Sequence, residues 1–295
     1  MRKLARTLAR ITALAALFIS ALVASAQSDD AAVQLARAVL EKQKSRPFWF
    51  HLRSISFGKV PYVFDVKAHG VKFDGNGNPK GQRTHCFARG VFIPIEDTLI
   101  YTPLEFCGQP VDAKTRESFE RSNKETIAKA KRRSEAEKAK IRAKEEKQRK
   151  ERALFWDEFL KAFRFQVVEH RTPNERHTTV VSFTPDPAYR PADVIDTKYL
   201  PKLRGRIWID DQDNEIARLE MEFMDDVKAG FGLLGKVSAG TSYFMELSKQ
   251  IDDRWLPVKA ETVLKMRALL VMTTNEKYTV EYSNYRKFST DVRIP

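Results

Sequence analysis

The chain has 295 residues, 31% of them charged, with a formal net charge of +13. That length excludes a disulfide-stapled miniprotein and leaves room for one large core or two small ones. The charge is local: residues 112–152 hold sixteen Lys/Arg against nine Asp/Glu, a net of +7. A basic balance confined to one segment does not describe a nucleic-acid-binding fold.

The N-terminus reads as an export leader. Arg2, Lys3, Arg6 and Arg10 precede an apolar run from Ile11 to Ala24, and Ala24-Ser25-Ala26 is a small-x-small cleavage site followed by Gln27. The apolar run is short for a membrane span. The expectation is a signal peptide over 1–26, cleaved after Ala26, and a soluble periplasmic mature protein. In that compartment Cys86 and Cys107 are expected to form a disulfide, since no CxxC or Cys/His ligand spacing is present.

Residues 29–44 carry Val33, Ala36, Val39 and Leu40 at helical spacing, with Asp29 or Asp30 as cap and Pro47 after the stop. From Phe48 to Pro110 short β-like runs alternate with turn signals, the densest being Asp74 to Gly81. Residues 112–152 hold no Gly or Pro and are rich in helix formers, with Phe119, Ile127 and Ile141 as the large apolar residues. This predicts a long solvated helix or a partly disordered charged arm. It leads into Leu154, Phe155, Trp156, Phe159, Leu160 and Phe163, an apolar face that requires burial.

The rest is a meander. Ala217, Leu219, Met221 and Phe223 alternate with Arg218, Glu220 and Glu222. Tyr243, Met245 and Leu247 follow, then Val258, Ala260, Thr262, Leu264 and Met266 against Lys259, Glu261, Lys265 and Arg267, and finally Tyr278, Val280 and Tyr282. Period-two alternation between short polar turns means antiparallel strands with one covered face. The expected fold class is α+β: a single strongly curved antiparallel β-sheet of about nine to eleven strands, an incomplete barrel, with helices in its concavity and a charged helical arm.

Motifs for chemistry are few. Asp211, Asp213 and Glu215 resemble a calcium loop but read better as a hairpin turn. Asp74, Asn76 and Asn78 fail as an EF-hand because Pro79 and His85 occupy the Gly and Glu positions. His51, His69, His85, His170 and His177 form no metal-binding spacing, and no nucleophile elbow or P-loop occurs. The expectation is no enzyme, no cofactor and no metal. Two helices are few for the inner face of a wide sheet, so a ligand cavity is expected there. Its candidate lining is Leu219, Met221, Phe223, Tyr243, Met245, Leu264 and Met266, the same residues an ordinary closed core would use. The Gly-rich apolar segment from Gly230 to Gly240, with Phe231 and Leu234, is either a lid for it or a loop packed on the core.

The run from Tyr199 through Gly205-Arg-Ile-Trp-Ile-Asp210 to Ile216-Ala-Arg-Leu219 resembles a hairpin of the outer-membrane lipoprotein-sorting (LolA/LolB-like) superfamily. Asp253-Arg-Trp-Leu-Pro257 and Tyr282-Ser-Asn-Tyr-Arg-Lys-Phe288 are similar to that family's closing strands. The resemblance covers roughly 163–290, is weaker over 48–110 and omits the arm. It implies a half-barrel sheltering the acyl chains of lipids or lipoproteins in transit.

The expected organisation is therefore a leader (1–26), a helix and the first strands (27–111), the arm (112–153), and a docking helix with the remaining strands (154–295). Expected partners are a lipid or lipidated protein, an anionic membrane surface for residues 112–152, and no nucleic acid. The rival expectation is an envelope scaffold with a filled core that acts through the arm.

Overall fold

A computed structural model describes residues 30–31, 33–43, 48–51, 54–57, 62–74, 78–80, 85–95, 98–171, 176–192, 197–229, 235–268 and 272–287. The leader and its cut lie outside these residues. The alternating segments form strands β1 (Phe48–His51), β2 (Ser54–Phe57), β3 (Tyr62–Lys72), β4 (His85–Ile95), β5 (Thr98–Phe106), β6 (Gln109–Pro110), β7 (Phe163–Arg171), β8 (Thr178–Pro185), β9 (Leu203–Asp210), β10 (Glu215–Phe223), β11 (Val227–Ala229), β12 (Gly235–Val237), β13 (Ser242–Lys249), β14 (Trp255–Ala268) and β15 (Met272–Lys287). The helices are α1 (30–43), α2 (Ala113–Lys131) and α3 (Glu135–Ala162).

Thirteen strands make one sheet, ordered β6-β5-β4-β3-β15-β14-β13-β10-β9-β8-β7, with β12 joining β11 to β14; β1 and β2 pair separately. Its pairings are antiparallel, and its two ends do not meet, so the sheet is an open α+β half-barrel. The count exceeds nine to eleven because β6, β11 and β12 have only two or three residues each, too few to show an alternation.

The charged segment is two helices, not one. Ser134 caps α3 through a capping box: its hydroxyl accepts from the Glu137 amide and the Glu137 carboxylate accepts from the Ser134 amide. Asp112 caps α2 by accepting from the Thr115 amide at 2.8 Å. α2 lies along the edge strand β5, where the Asn123 side chain donates to the Tyr101 carbonyl at 3.0 Å. Phe119 meets Tyr101 edge-on, and Ile127 packs against the cluster of Val63, Val91, Ile93 and Ile100. α2 thus covers backbone that an edge strand would otherwise expose. α3 runs unbroken through residue 153, so the arm and the docking helix are one element.

The main core lies between the sheet and the two helices that cross it. Ala36, Val39 and Leu40 of α1 and Phe155, Trp156, Phe159 and Ala162 of α3 pack on Val181, Phe183, Ile207, Leu219 and Met245. Phe159 sits among Phe163, Phe165 and Phe183 with centroid separations of 4.6, 6.1 and 5.0 Å. Gly205 is required beneath them: a Cβ there would lie 2.0 Å from the Glu220 carbonyl and 2.5 Å from the Phe183 ring.

The turn between β9 and β10 is fastened by charge. Arg176 donates to both carboxylate oxygens of buried Asp210, at 2.6 and 2.7 Å, and to Asp213 at 3.0 Å. Asp213 also accepts from the Trp255 indole at 2.9 Å and pairs with Lys249 at 3.2 Å. Asp211 accepts from the Thr179 amide, and Glu215 pairs with Lys42. The acidic turn is therefore engaged by protein cations and donors. Burial alone would raise the Asp210 carboxyl, but Arg176 and the Asp213 amide outweigh it and hold it below the ordinary carboxylate range.

Two outcomes are expected in urea unfolding. Gly205→Ala lowers stability by about 3 kcal/mol, because backbone cannot yield to the new methyl as a side chain could. Arg176→Ala costs about 3 kcal/mol at neutral pH by leaving Asp210 buried without its counter-ion. A folded pKa held below the unfolded one stabilises above the unfolded value, about 3.9, and the benefit is lost as pH falls through the folded value. The parent therefore loses stability on acidification below about pH 4, and Arg176→Ala loses less.

Candidate functional site

The register defines a row of side chains across the inner face. It passes from Val181 through Ile207, Leu219, Met245 and Ala260 to Val280 and Ala68, and the backbone register continues across β4 to Phe106. The first four are buried with α1 and α3, and Ala260 is buried with Phe64, Val66 and Tyr282. Val280 and Ala68 are half-buried, and Phe106 is 38% exposed. Among the described residues, the helical cover ends near β14.

A width argument explains why. Strands lie about 4.8 Å apart, so the eleven on the continuous path span about 50 Å. Two helices side by side, each about 10 Å across, cover about 20 Å, which is four or five strands. Those are β7 to β10 and β13, the strands that supply the core.

The predicted lining divides accordingly. Leu219, Met221, Phe223, Tyr243 and Met245 are all buried in the helix-covered core. Burial pushes the Tyr243 phenol up to about 12. Leu264 and Met266 lie farther along β14 and are half-buried. Phe231 and Leu234 lie outside the described residues. The segment that holds them ends in β12, whose Val237 pairs with Met266, so it joins the sheet beside the uncovered strip.

Sequence reasoning missed Tyr278 and Phe106 as site residues. Tyr278 is 39% exposed, whereas Tyr282, two alternations further along the same face of β15, is 6% exposed. Tyr282 stands in an aromatic cluster with Phe64, Phe92 and Tyr285, which Tyr278 does not reach. Position was the available signal: Tyr278 pairs with Thr262 and Gly70, small partners that leave its ring standing proud. Across from Leu264, buried Glu276 pairs with Lys72 at 3.1 Å, and the Tyr278 hydroxyl donates to Glu276. The strip is thus mixed: Leu264 pairs with Glu276 and Met266 with Thr274, so Leu264, Met266 and Tyr278 surround the buried Glu276 carboxylate.

The opposite face is chemically different. It carries a cleft of about 1030 Å³ whose lining includes Arg204, Arg206, Arg218, Glu220, Glu222 and Phe244. Arg204 pairs with Glu222 at 3.0 Å, Arg218 pairs with Glu220, and Arg218 lies over the Trp208 and Phe244 rings at 4.7 and 4.8 Å. Burial would raise Glu261, but Lys277 and Lys259 hold it below its ordinary range. Covering these ion pairs with an acyl chain would remove their solvent without replacing it, so this cleft does not suit an apolar ligand.

Among the described residues no cluster of three or more His, Cys, Asp or Glu could hold a metal, and no helix is long and apolar enough to cross a membrane.

No family model matches the chain, and no curated protein matches it. Among solved structures it is similar to a LolA superfamily protein from Nitrosomonas europaea, at 9% identity over 86% of this chain and 94% of that one, with a TM-score of 0.27. It is similar to an outer membrane lipoprotein-sorting protein domain from Vibrio parahaemolyticus, at 8% identity over 90% of this chain and 95% of that one, TM-score 0.29. A DUF1329 family protein from Desulfovibrio piger shows 8% identity over 91% of this chain and 95% of that one, TM-score 0.29.

Proposed function

We propose that the protein is a non-enzymatic periplasmic binder or carrier of an apolar ligand, a lipid, an acyl chain or the acylated end of a lipoprotein. The observation that carries this reading is the abrupt loss of cover on one apolar face. Leu264, Met266 and Tyr278 continue the inner surface that α1 and α3 bury elsewhere, yet they stand half in solvent. Placing an acyl chain over about 200 Å² of such surface is worth about 5 kcal/mol before the cost of ordering the chain. Leu264, Met266 and Tyr278 form the bed of this site, and Phe231 and Leu234 its lid. Leu219, Met221, Phe223, Tyr243 and Met245 form the packed wall behind it. Lys72, Glu276 and the Tyr278 hydroxyl, beside Leu264, suit a polar head group.

Periplasmic location also implies a Cys86–Cys107 disulfide. The pairing of Ala88 with Phe106 brings the two cysteines to the same end of the β4–β5 hairpin, and no described cysteine is free. The Cys86 side chain itself lies outside the described residues. The filled half under α1 and α3 is the one observation that favours the rival, an envelope scaffold acting through the arm.

Protein purified from its periplasm is expected to release lipid on organic extraction and to take up a fluorescent fatty acid. Leu264→Arg and Met266→Glu should each weaken uptake at least tenfold with little change in melting temperature, since both sites are half-exposed. Leu219→Ala should instead lower stability by about 3 kcal/mol as a core cavity. A lipid-free extract with no uptake would leave the scaffold as the better account. The intact mass is expected to lie two hydrogens below that of the reduced chain, and reduction should cost roughly 3 kcal/mol of stability.

A further inference from the structure

The arm's acids are largely consumed within the arm. Glu117 pairs with Arg121, Glu135 with Lys138 and Arg142, Glu146 with Arg149 and Lys150, and Glu151 with Lys147. Asp112 and Glu137 serve as helix caps. The caps and ion pairs hold Asp112, Glu135, Glu137 and Glu146 below their ordinary range, so these four keep their charge. Glu120 and Glu125 make no ion pair among the described residues, but the cations without one outnumber them. Lys124, Lys131, Arg132, Lys140 and Lys144 make no ion pair or side-chain hydrogen bond among the described residues.

The arm also has an apolar end that remains in water. Leu154, at the base of the charged stretch of α3, is 40% exposed. Between residues 135 and 151 no side chain with described exposure is buried, so this half of α3 packs into no core. Excess cations beside an exposed apolar side chain are the features of a peripheral membrane contact. Single-stranded nucleic acid would be met by a different surface, because stacking needs aromatic platforms and the arm's one aromatic, Phe119, is packed on Tyr101.

We infer that the α2–α3 arm docks on an anionic lipid bilayer, through Lys124, Lys131, Arg132, Lys140 and Lys144, with Leu154 entering the interface. The inference deepens the carrier reading by naming the surface to which the carrier is brought. It leaves ligand uptake to a different part of the molecule.

The test is vesicle flotation of the mature chain, with phosphatidylcholine vesicles containing about one-third phosphatidylglycerol against pure phosphatidylcholine. Each basic residue near an anionic leaflet is worth roughly fivefold in partition. The parent is expected to float with the anionic vesicles, and to leave them when salt is raised to about 0.5 M, where the screening length falls to a few ångströms. The combined variant Lys131→Gln, Arg132→Gln, Lys140→Gln and Lys144→Gln should lose at least tenfold in partition while keeping fatty-acid uptake. A control of equal charge loss, Lys80→Gln, Arg206→Gln, Lys228→Gln and Arg254→Gln, should float like the parent. Equal binding to both vesicle types, equal loss in the control, or displacement from vesicles by duplex DNA at matched phosphate would each overturn the inference. Should the arm variant fold poorly, the salt titration of the parent decides alone. Uptake of fatty acid without flotation would overturn the docking and spare the carrier. Flotation without uptake would do the reverse.

Discussion

The structure depends on a mismatch of widths. A continuous path of eleven strands offers about 50 Å of sheet, and two helices can close less than half of it. Apolar surface left in water is unfavourable at about 25 cal/mol per Å², so an uncovered strip must be small or must have a use. On this sheet the strip is narrow: one end of β14, β15 and β3 on the inner face, bordered by β12 and by the aromatic cluster around Phe64 and Tyr282. The alternation that makes Leu219 a core residue makes Leu264 a surface residue, because the helices stop between them.

The outward face explains why the sheet stays a single layer. On β10 Arg218, Glu220 and Glu222 point away from the helices, and neighbouring strands set Arg204, Phe244, Lys259 and Glu261 beside them. Ion pairs and cation–π contacts knit these groups into a surface that a second apolar sheet could cover only at the cost of desolvating it. A sandwich is thereby disfavoured, and burial must come from helices on the other side. α2 deals with the remaining exposed backbone at the β5 edge by a side-chain amide from Asn123.

Much of this was legible in the residues. The alternations on β10, β13, β14 and β15 gave strands, faces and an antiparallel sheet, and Phe155, Trp156 and Phe159 gave a helix with a face to bury. The break in the arm was also legible, since Ser134 and Glu137 stand at capping-box spacing, but a run without Gly or Pro concealed it. The extent of cover was not legible. Met245 and Met266 occupy equivalent places in the pattern, and only the length of α1 and of the apolar end of α3 decides which is sealed. Tyr278 likewise reads as one more inward residue until Gly70 and Thr262 are found opposite it. Fasteners such as Arg176 with Asp210 lie more than thirty positions apart and need the β8–β9 pairing before they meet.

α3 has a mechanical property that follows from its continuity. Its 28 residues make a rod about 42 Å long, seated at one end among Phe163, Phe165 and Phe183 and bare at the other. Such a rod is a lever with its fulcrum in the core. If the bare end is held still, a pivot of about ten degrees at the seated end swings the sheet through about 7 Å relative to that end. Whatever grips the outer half therefore feels, and can set, the attitude of the inner face, with no loop or hinge between them.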